Sequence, residues 1–211
     1  MLMAGAVVAP PPVMVWVWEW KGDLNWVNPK TTGVAFLAAH FLVDQKGQMK
    51  VLPRREPFRV PAGTYEMAVI RLDVATEAKE DVWKPRFLQG VEDVITLTNP
   101  RALQIDFDAR QSQGEMYRRL LTDLRARTQG KLFLSMTALV SWCGPKTWIK
   151  DLPVDEIVPM AFREPQLKRV EGCSESLGVN DTTPAKARRL YVFHEAWKPI
   201  EDLRKYVGAI P

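Results

Sequence analysis

The segment Gln104-Ile105-Asp106-Phe107-Asp108 sets two aspartates two residues apart in an apolar run. In an extended strand successive side chains point to opposite faces, so Gln104, Asp106 and Asp108 share one face while Leu103, Ile105 and Phe107 share the other. Two carboxylates on one buried face repel, and at least one holds its proton more tightly unless a cation neutralises it. One carboxyl able to give a proton beside one that stays charged is the pair that acid and base catalysis on a sugar requires.

The neighbouring runs supply company for that pair. If Ile70 and Leu72 face the helices, Arg71 and Asp73 point the other way, and Arg71 is the cation that would neutralise the aspartates. If Leu132, Leu134 and Met136 face outward, Ser135 and Thr137 point inward by the same alternation. Glu19 and Glu195 end their own apolar runs and are candidates for an opposing carboxylate. Trp18, Trp20, Trp142, Trp148 and Trp197 fall near strand ends, where flat aromatic faces would suit sugar rings. Asp73, Asp106 and Asp108 together are also the oxygen-rich set that a hard divalent cation selects, although no metal or organic cofactor is expected. His40, inside an apolar run, reads as a core or rim histidine.

The elements that must position these residues follow from periodicity. Strands are predicted over 13–18, 33–43, 65–74, 102–108, 132–140, 156–162 and 190–195, with a further strand at 174–179. Segments 49–52 and 58–60, beside Pro53 and Pro57, read as a hairpin or edge excursion. A helix is predicted within 77–97, kinked or split at Pro85. A second follows Ser112, whose spacing to Glu115 suits a capping box, and closes at Gly130. A third covers 200–207. Strand, helix, strand in repetition implies parallel pairing with right-handed crossovers. The expected fold is therefore a single α/β domain over 13–211, a small TIM-barrel-like (β/α) fold, compact or incomplete, with several short crossovers and a hairpin excursion after the second strand. A full eight-fold barrel typically takes about 250 residues. The runs 15–20 and 191–197 resemble each other, as strands adjacent across a closing seam would.

Bulk composition places limits on function. The chain has 211 residues, 46% hydrophobic and 26% charged, with 29 basic against 25 acidic residues and a net charge of +4, which suits one ordinary globular core. The basic residues are scattered among acidic ones, so no nucleic-acid partner is expected. Cys143 and Cys173 have no metal-ligand spacing, and no stretch reaches the ~20 apolar residues of a membrane-spanning helix. Residues 1–12, apolar and then Pro10-Pro11-Pro12, read as a flexible lead-in or the remnant of a trimmed signal. Composition is silent on oligomeric state.

The segments Val34-Ala35-Phe36-Leu37, Leu103-Gln104-Ile105-Asp106-Phe107-Asp108-Ala109, Leu134-Ser135-Met136-Thr137-Ala138-Leu139-Val140-Ser141-Trp142-Cys143 and Leu152-Pro153-Val154-Asp155-Glu156-Ile157-Val158-Pro159-Met160 resemble the bacterial domain-of-unknown-function family numbered 3142. That resemblance covers nearly the whole chain. It implies a barrel related to glycoside hydrolases and an exported, soluble protein. A looser similarity is to chitinase-like glycoside hydrolases, whose fourth strand ends in Asp-x-Asp-x-Glu with the glutamate as proton donor. Here the third position is Arg110, so the donor is missing. The expected function is action on a glycan or other small molecule. Asp106, Asp108, Glu19 and Glu195 are the catalytic candidates; Arg71, Asp73, Gln104, Thr137, Trp142 and Trp20 are the substrate-binding ones. The alternative is a non-catalytic carbohydrate- or partner-binding barrel.

Overall fold

The computed structural model describes residues 7–19, 22–142, 148–160, 176–179 and 189–193. The predicted helix at 200–207, Trp20, Trp197, Glu195 and both cysteines lie outside these residues.

Eight strands run parallel around a ring: β1 (Val13–Val17), β3 (Thr32–Val43), β6 (Tyr65–Val74), β7 (Ala102–Asp106), β8 (Phe133–Leu139), β9 (Glu156–Met160), β10 (Ser176–Val179) and β11 (Arg189–Phe193). The ring closes because β1 pairs in parallel with β3 on one side and with β11 on the other. The described parts of the two resembling runs, 15–17 and 191–193, are thus neighbours at that seam. β4 (Met49–Pro53) folds back antiparallel on β3, and a small separate ribbon pairs β2 (Gly22–Asp23) with β5 (Phe58–Arg59), so the predicted excursion occupies the crossover from β3 to β6. The fold is the α/β barrel that the strand pattern implied. Its strand ring is closed, while the crossovers from β1 to β3 and from β3 to β6 carry no helix among the described residues.

The two α-helices among the described residues flank β7. α1 (Glu80–Thr98) runs unbroken through Pro85. Pro85 sits in the second turn, where only one carbonyl near the solvent-facing start loses its amide partner, and burial of Trp83, Phe87, Leu88 and Val91 outweighs that loss. α2 (Gly114–Thr128) is preceded by a 3-10 turn that takes in Ser112, so the expected capping box does not form. The amide oxygen of Gln113 instead accepts the Arg110 backbone N–H at 2.9 Å. Gln129 and Gly130, at φ 51° and 64°, end the helix in the left-handed region.

Alternation along the strands sorts side chains into two cores. Ile70, Leu72, Leu103, Ile105, Phe107, Leu134 and Met136 pack outward with the helices. Met14, Trp16, Ala35, Met67, Val69, Ala102, Phe133, Val158 and Tyr191 fill the lumen toward the strand N-termini. β3 breaks the alternation. Its register against β6 shifts between Leu37 and Ala39, and both Ala38 and Ala39 end on the outer face. After this bulge His40 pairs with Arg71 and Leu42 with Asp73, on the lumen side.

Candidate functional site

At the C-terminal end of β6 and β7 a single guanidinium gathers three carboxylates. Arg71 donates to Asp106 Oδ2 at 3.0 Å, to Asp108 Oδ2 at 2.8 Å and to Asp73 Oδ1 at 3.1 Å. The Thr137 hydroxyl, from β8, donates to Asp106 Oδ1 at 2.8 Å. His40 Nε2 lies 2.6 Å from Asp73 Oδ2. Asp106 is sealed at 1% exposure, while the side chains of Asp73 and Asp108 are 43% and 39% exposed. β7 ends at Asp106, so Asp108 stands on the loop beyond it. It turns back onto Arg71 and takes no part in capping α2.

Burial and charge set the proton affinities here. Burial pushes the Asp106 carboxyl up, and Arg71 and Thr137 pull it back without cancelling that effect. For Arg71 burial works against the charge, but Asp106 and Asp108 outweigh it and raise the guanidinium above its ordinary value.

Beside this cluster opens a cleft of about 580 Å³, lined by Asp73, Asp108, Phe107, Arg110 and the β3–β4 turn, with Gln48 and Lys50 among its residues. Asp108 Oδ1 has no hydrogen-bond partner among the described residues. Arg110, at the position of the missing glutamate, reaches away to the Thr76 hydroxyl at 2.5 Å.

The structure joins Arg71, Asp73, Asp106, Asp108 and Thr137 as one wall. It places the other candidates elsewhere. Gln104 lies one pair deeper, fully buried; its oxygen accepts from Trp16 Nε1 at 2.7 Å and its nitrogen donates to Ser135 Oγ at 2.9 Å. Trp142 is 8% exposed, its ring 4.9 Å from that of Trp148 in the outer core. Glu19 is exposed past β1, near enough to Arg54 to favour that cation's charge, and no bond joins it to the Arg71 cluster among the described residues. Glu195 and Trp20 fall outside those residues. The divalent-cation alternative finds no support: no group of three His, Cys, Asp or Glu side chains among the described residues is arranged to hold an ion, and Arg71 already occupies the space between the aspartates.

Sequence reasoning read one feature coarsely, His40 as a core or rim histidine, and missed another. His40 enters the mouth only because of the bulge; strict alternation from Gly33 would send it outward. The adjacent alanines 38 and 39, small enough to share one face, are the trace that a bulge leaves. The second is a polar network at the lumen floor. Glu156 receives Arg189, the Tyr191 hydroxyl at 2.5 Å and the Ser135 hydroxyl at 3.0 Å. Arg189 also donates to the Pro10 and Pro11 carbonyls, and Tyr65 to that of Val8, so the lead-in lies tied across the barrel floor from Val8 to Pro11.

No family model and no curated protein matches the chain. Among solved structures it is similar to the spore cortex-lytic enzyme SleL of Bacillus cereus, at 15% identity and a TM-score of 0.47, over 96% of this chain and 49% of that one. SleL of Bacillus megaterium QM B1551 gives 15% identity and a TM-score of 0.46, over 96% and 48%. The chain spans about half the length of these structures. No helix among the described residues is long and apolar enough to cross a membrane.

Proposed function

We propose that the barrel mouth binds a glycan through the Arg71-centred carboxylate wall and does so without cleaving it. One observation carries this reading: Asp108 lines the cleft with Oδ2 clamped by Arg71 and Oδ1 unengaged among the described residues. A carboxylate fixed by one oxygen and open at the other is a pre-organised acceptor for sugar hydroxyls, because the entropy of placing it has already been lost. Asp73, held by Arg71 and His40, is a second acceptor on the same wall.

Binding is favoured over hydrolysis by which carboxyl oxygens can reach a ligand. Cleavage needs a neutral carboxyl within hydrogen-bond reach of the glycosidic oxygen. Asp106 is the wall carboxyl with raised proton affinity, yet it is buried and both its oxygens are engaged. Asp73 and Asp108 accept from a cation, and Arg110 stands at the donor's position.

The test is a panel of oligosaccharides scored for both binding and release of reducing ends. Wild type should bind at least one glycan and release nothing, and Asp108→Asn should weaken that binding about tenfold, the worth of one charge-assisted hydrogen bond. Turnover that disappears in Asp108→Asn would replace this reading with the hydrolase. Absence of any binding by folded protein would remove both.

A further inference from the structure

Among the polar groups of the cleft, the carboxylates and the cations differ in how far their bonds are met. Asp44 accepts the backbone N–H groups of Lys46 and Gln48 at 2.9 and 2.8 Å. Asp73 is bonded to Arg71 and His40, and Asp108 to Arg71. The two cations on the lining have no such partners. Lys50, exposed on β4, makes no ion pair among the described residues, and Arg110 makes none either, its one bond going to the neutral Thr76 hydroxyl. That bond fixes the direction of the Arg110 side chain and leaves the rest of its five-donor fork unspent.

We propose that the glycan taken by this mouth is acidic, and that Lys50 and Arg110 form the subsite for a sugar carboxylate, as on a uronic acid. This inference rests on the glycan-binding reading above and specifies the ligand. The lining sets Asp44, Asp73 and Asp108 against Lys50 and Arg110, one net negative charge, so selectivity for an anion is local to the two cations. Ligand hydroxyls meet the clamped carboxylates Asp73 and Asp108, and the ligand's anion meets the two cations that lack one. A planar carboxylate suits the arginine fork by two parallel hydrogen bonds, and the lysine adds a point charge beside it. A neutral glycan would leave both cations solvated and would gain nothing from them. Arg110 thus acquires a role at the position where a hydrolase would carry its acid: it recognises the sugar's charge in place of protonating the bond.

The experiment compares binding of oligogalacturonate, its methyl ester and a sulfated oligosaccharide, alongside neutral oligosaccharides, at low and high salt. Oligogalacturonate should bind about tenfold more tightly than its methyl ester at low salt, and the advantage should shrink as ionic strength rises. Lys50→Gln and Arg110→Gln should each weaken oligogalacturonate more than its ester and so remove most of that advantage. Retention of the preference in the double variant, or a methyl ester that binds as well as the acid, overturns the acidic-ligand inference while the glycan-binding reading stands. Tighter binding of the sulfated glycan than of the uronate would overturn the assignment to a carboxylate. No binding of any glycan removes both readings together.

Discussion

The barrel carries two charged clusters that are mirror images in composition. At the mouth one cation, Arg71, serves three carboxylates; at the floor one carboxylate, Glu156, serves three donors from Arg189, Tyr191 and Ser135. The floor is sealed, with Glu156 and Arg189 each 6% exposed and Gln104, Ser135 and Tyr191 at 0%. Its hydrogen bonds run on through Gln104 to Trp16, so donors and acceptors are matched across the lumen. The Arg71 cluster keeps one unengaged acceptor, Asp108 Oδ1, and opens to solvent. A buried network that is fully matched specifies one arrangement of the strands. A half-exposed network with an acceptor to spare is suited to a ligand. Position in the ring agrees: Glu156 and Arg189 bridge β9 to β11 past β10, which among the described residues shares the single register pair Met160–Gly178 with β9.

That contrast is broken most directly at the floor. Glu156→Gln leaves the Arg189 charge buried without its counterion, and the expected loss is about 3–5 kcal/mol of unfolding free energy, read by chemical denaturation. The double variant Glu156→Met/Arg189→Met removes both charges and should recover most of it. If the double variant is as unstable as the single one, the floor's contribution lies in its hydrogen bonds to Pro10 and Pro11 rather than in charge matching.

At the mouth the corresponding change is Arg71→Met, with an expected loss of about 2 kcal/mol, smaller because water reaches two of the three carboxylates it abandons. Glycan binding should be lost with it. Asp106→Asn tests the remaining buried charge through pH. Burial raises the Asp106 carboxyl in the folded chain above the ordinary aspartate value of 3.8, so its contribution to stability is full below that pH and is lost as pH rises through the folded value. The asparagine does not titrate. The stability of wild type relative to Asp106→Asn should therefore fall as pH rises from about 3.8, with a slope of at most about 1.4 kcal/mol per pH unit. A flat difference would mean that Arg71 and Thr137 fully compensate the burial.

Period-two alternation was enough to place Arg71, Asp73, Asp106, Ser135 and Thr137 on the inside of the ring, because parallel neighbours at the same register share a face and the apolar residues between them have only the helices to pack against. It failed for His40, since a bulge of one residue inverts every position after it and leaves only two adjacent alanines as a sign. It was mute on depth between strands: chain order puts Gln104 below Asp106, but only the register with β8 sets Gln104 beside Ser135. The floor network stayed hidden for a different reason. Glu156, Arg189 and Tyr191 are far apart in sequence at strand beginnings, where charged residues usually face water, and only ring closure brings them together. The same closure sets Val15 and Trp16 beside Val192 and Phe193, at one depth of the ring.

The smallest expected effect on stability belongs to Asp108→Asn, which sharpens the comparison most. The Asp108 side chain is 39% exposed, so its ion pair with Arg71 is screened by solvent and stabilises the fold by about 0–1 kcal/mol. Asparagine keeps an oxygen for the guanidinium and keeps the volume, so the unfolding free energy should move by no more than about 0.5 kcal/mol. The glycan affinity should fall nonetheless, because the amide presents one acceptor oxygen instead of two and Arg71 already claims it. A variant that folds as well as wild type and binds poorly separates the two clusters by purpose. A loss of stability as large as that of Glu156→Gln would make Asp108 structural and place the mouth in the same class as the floor.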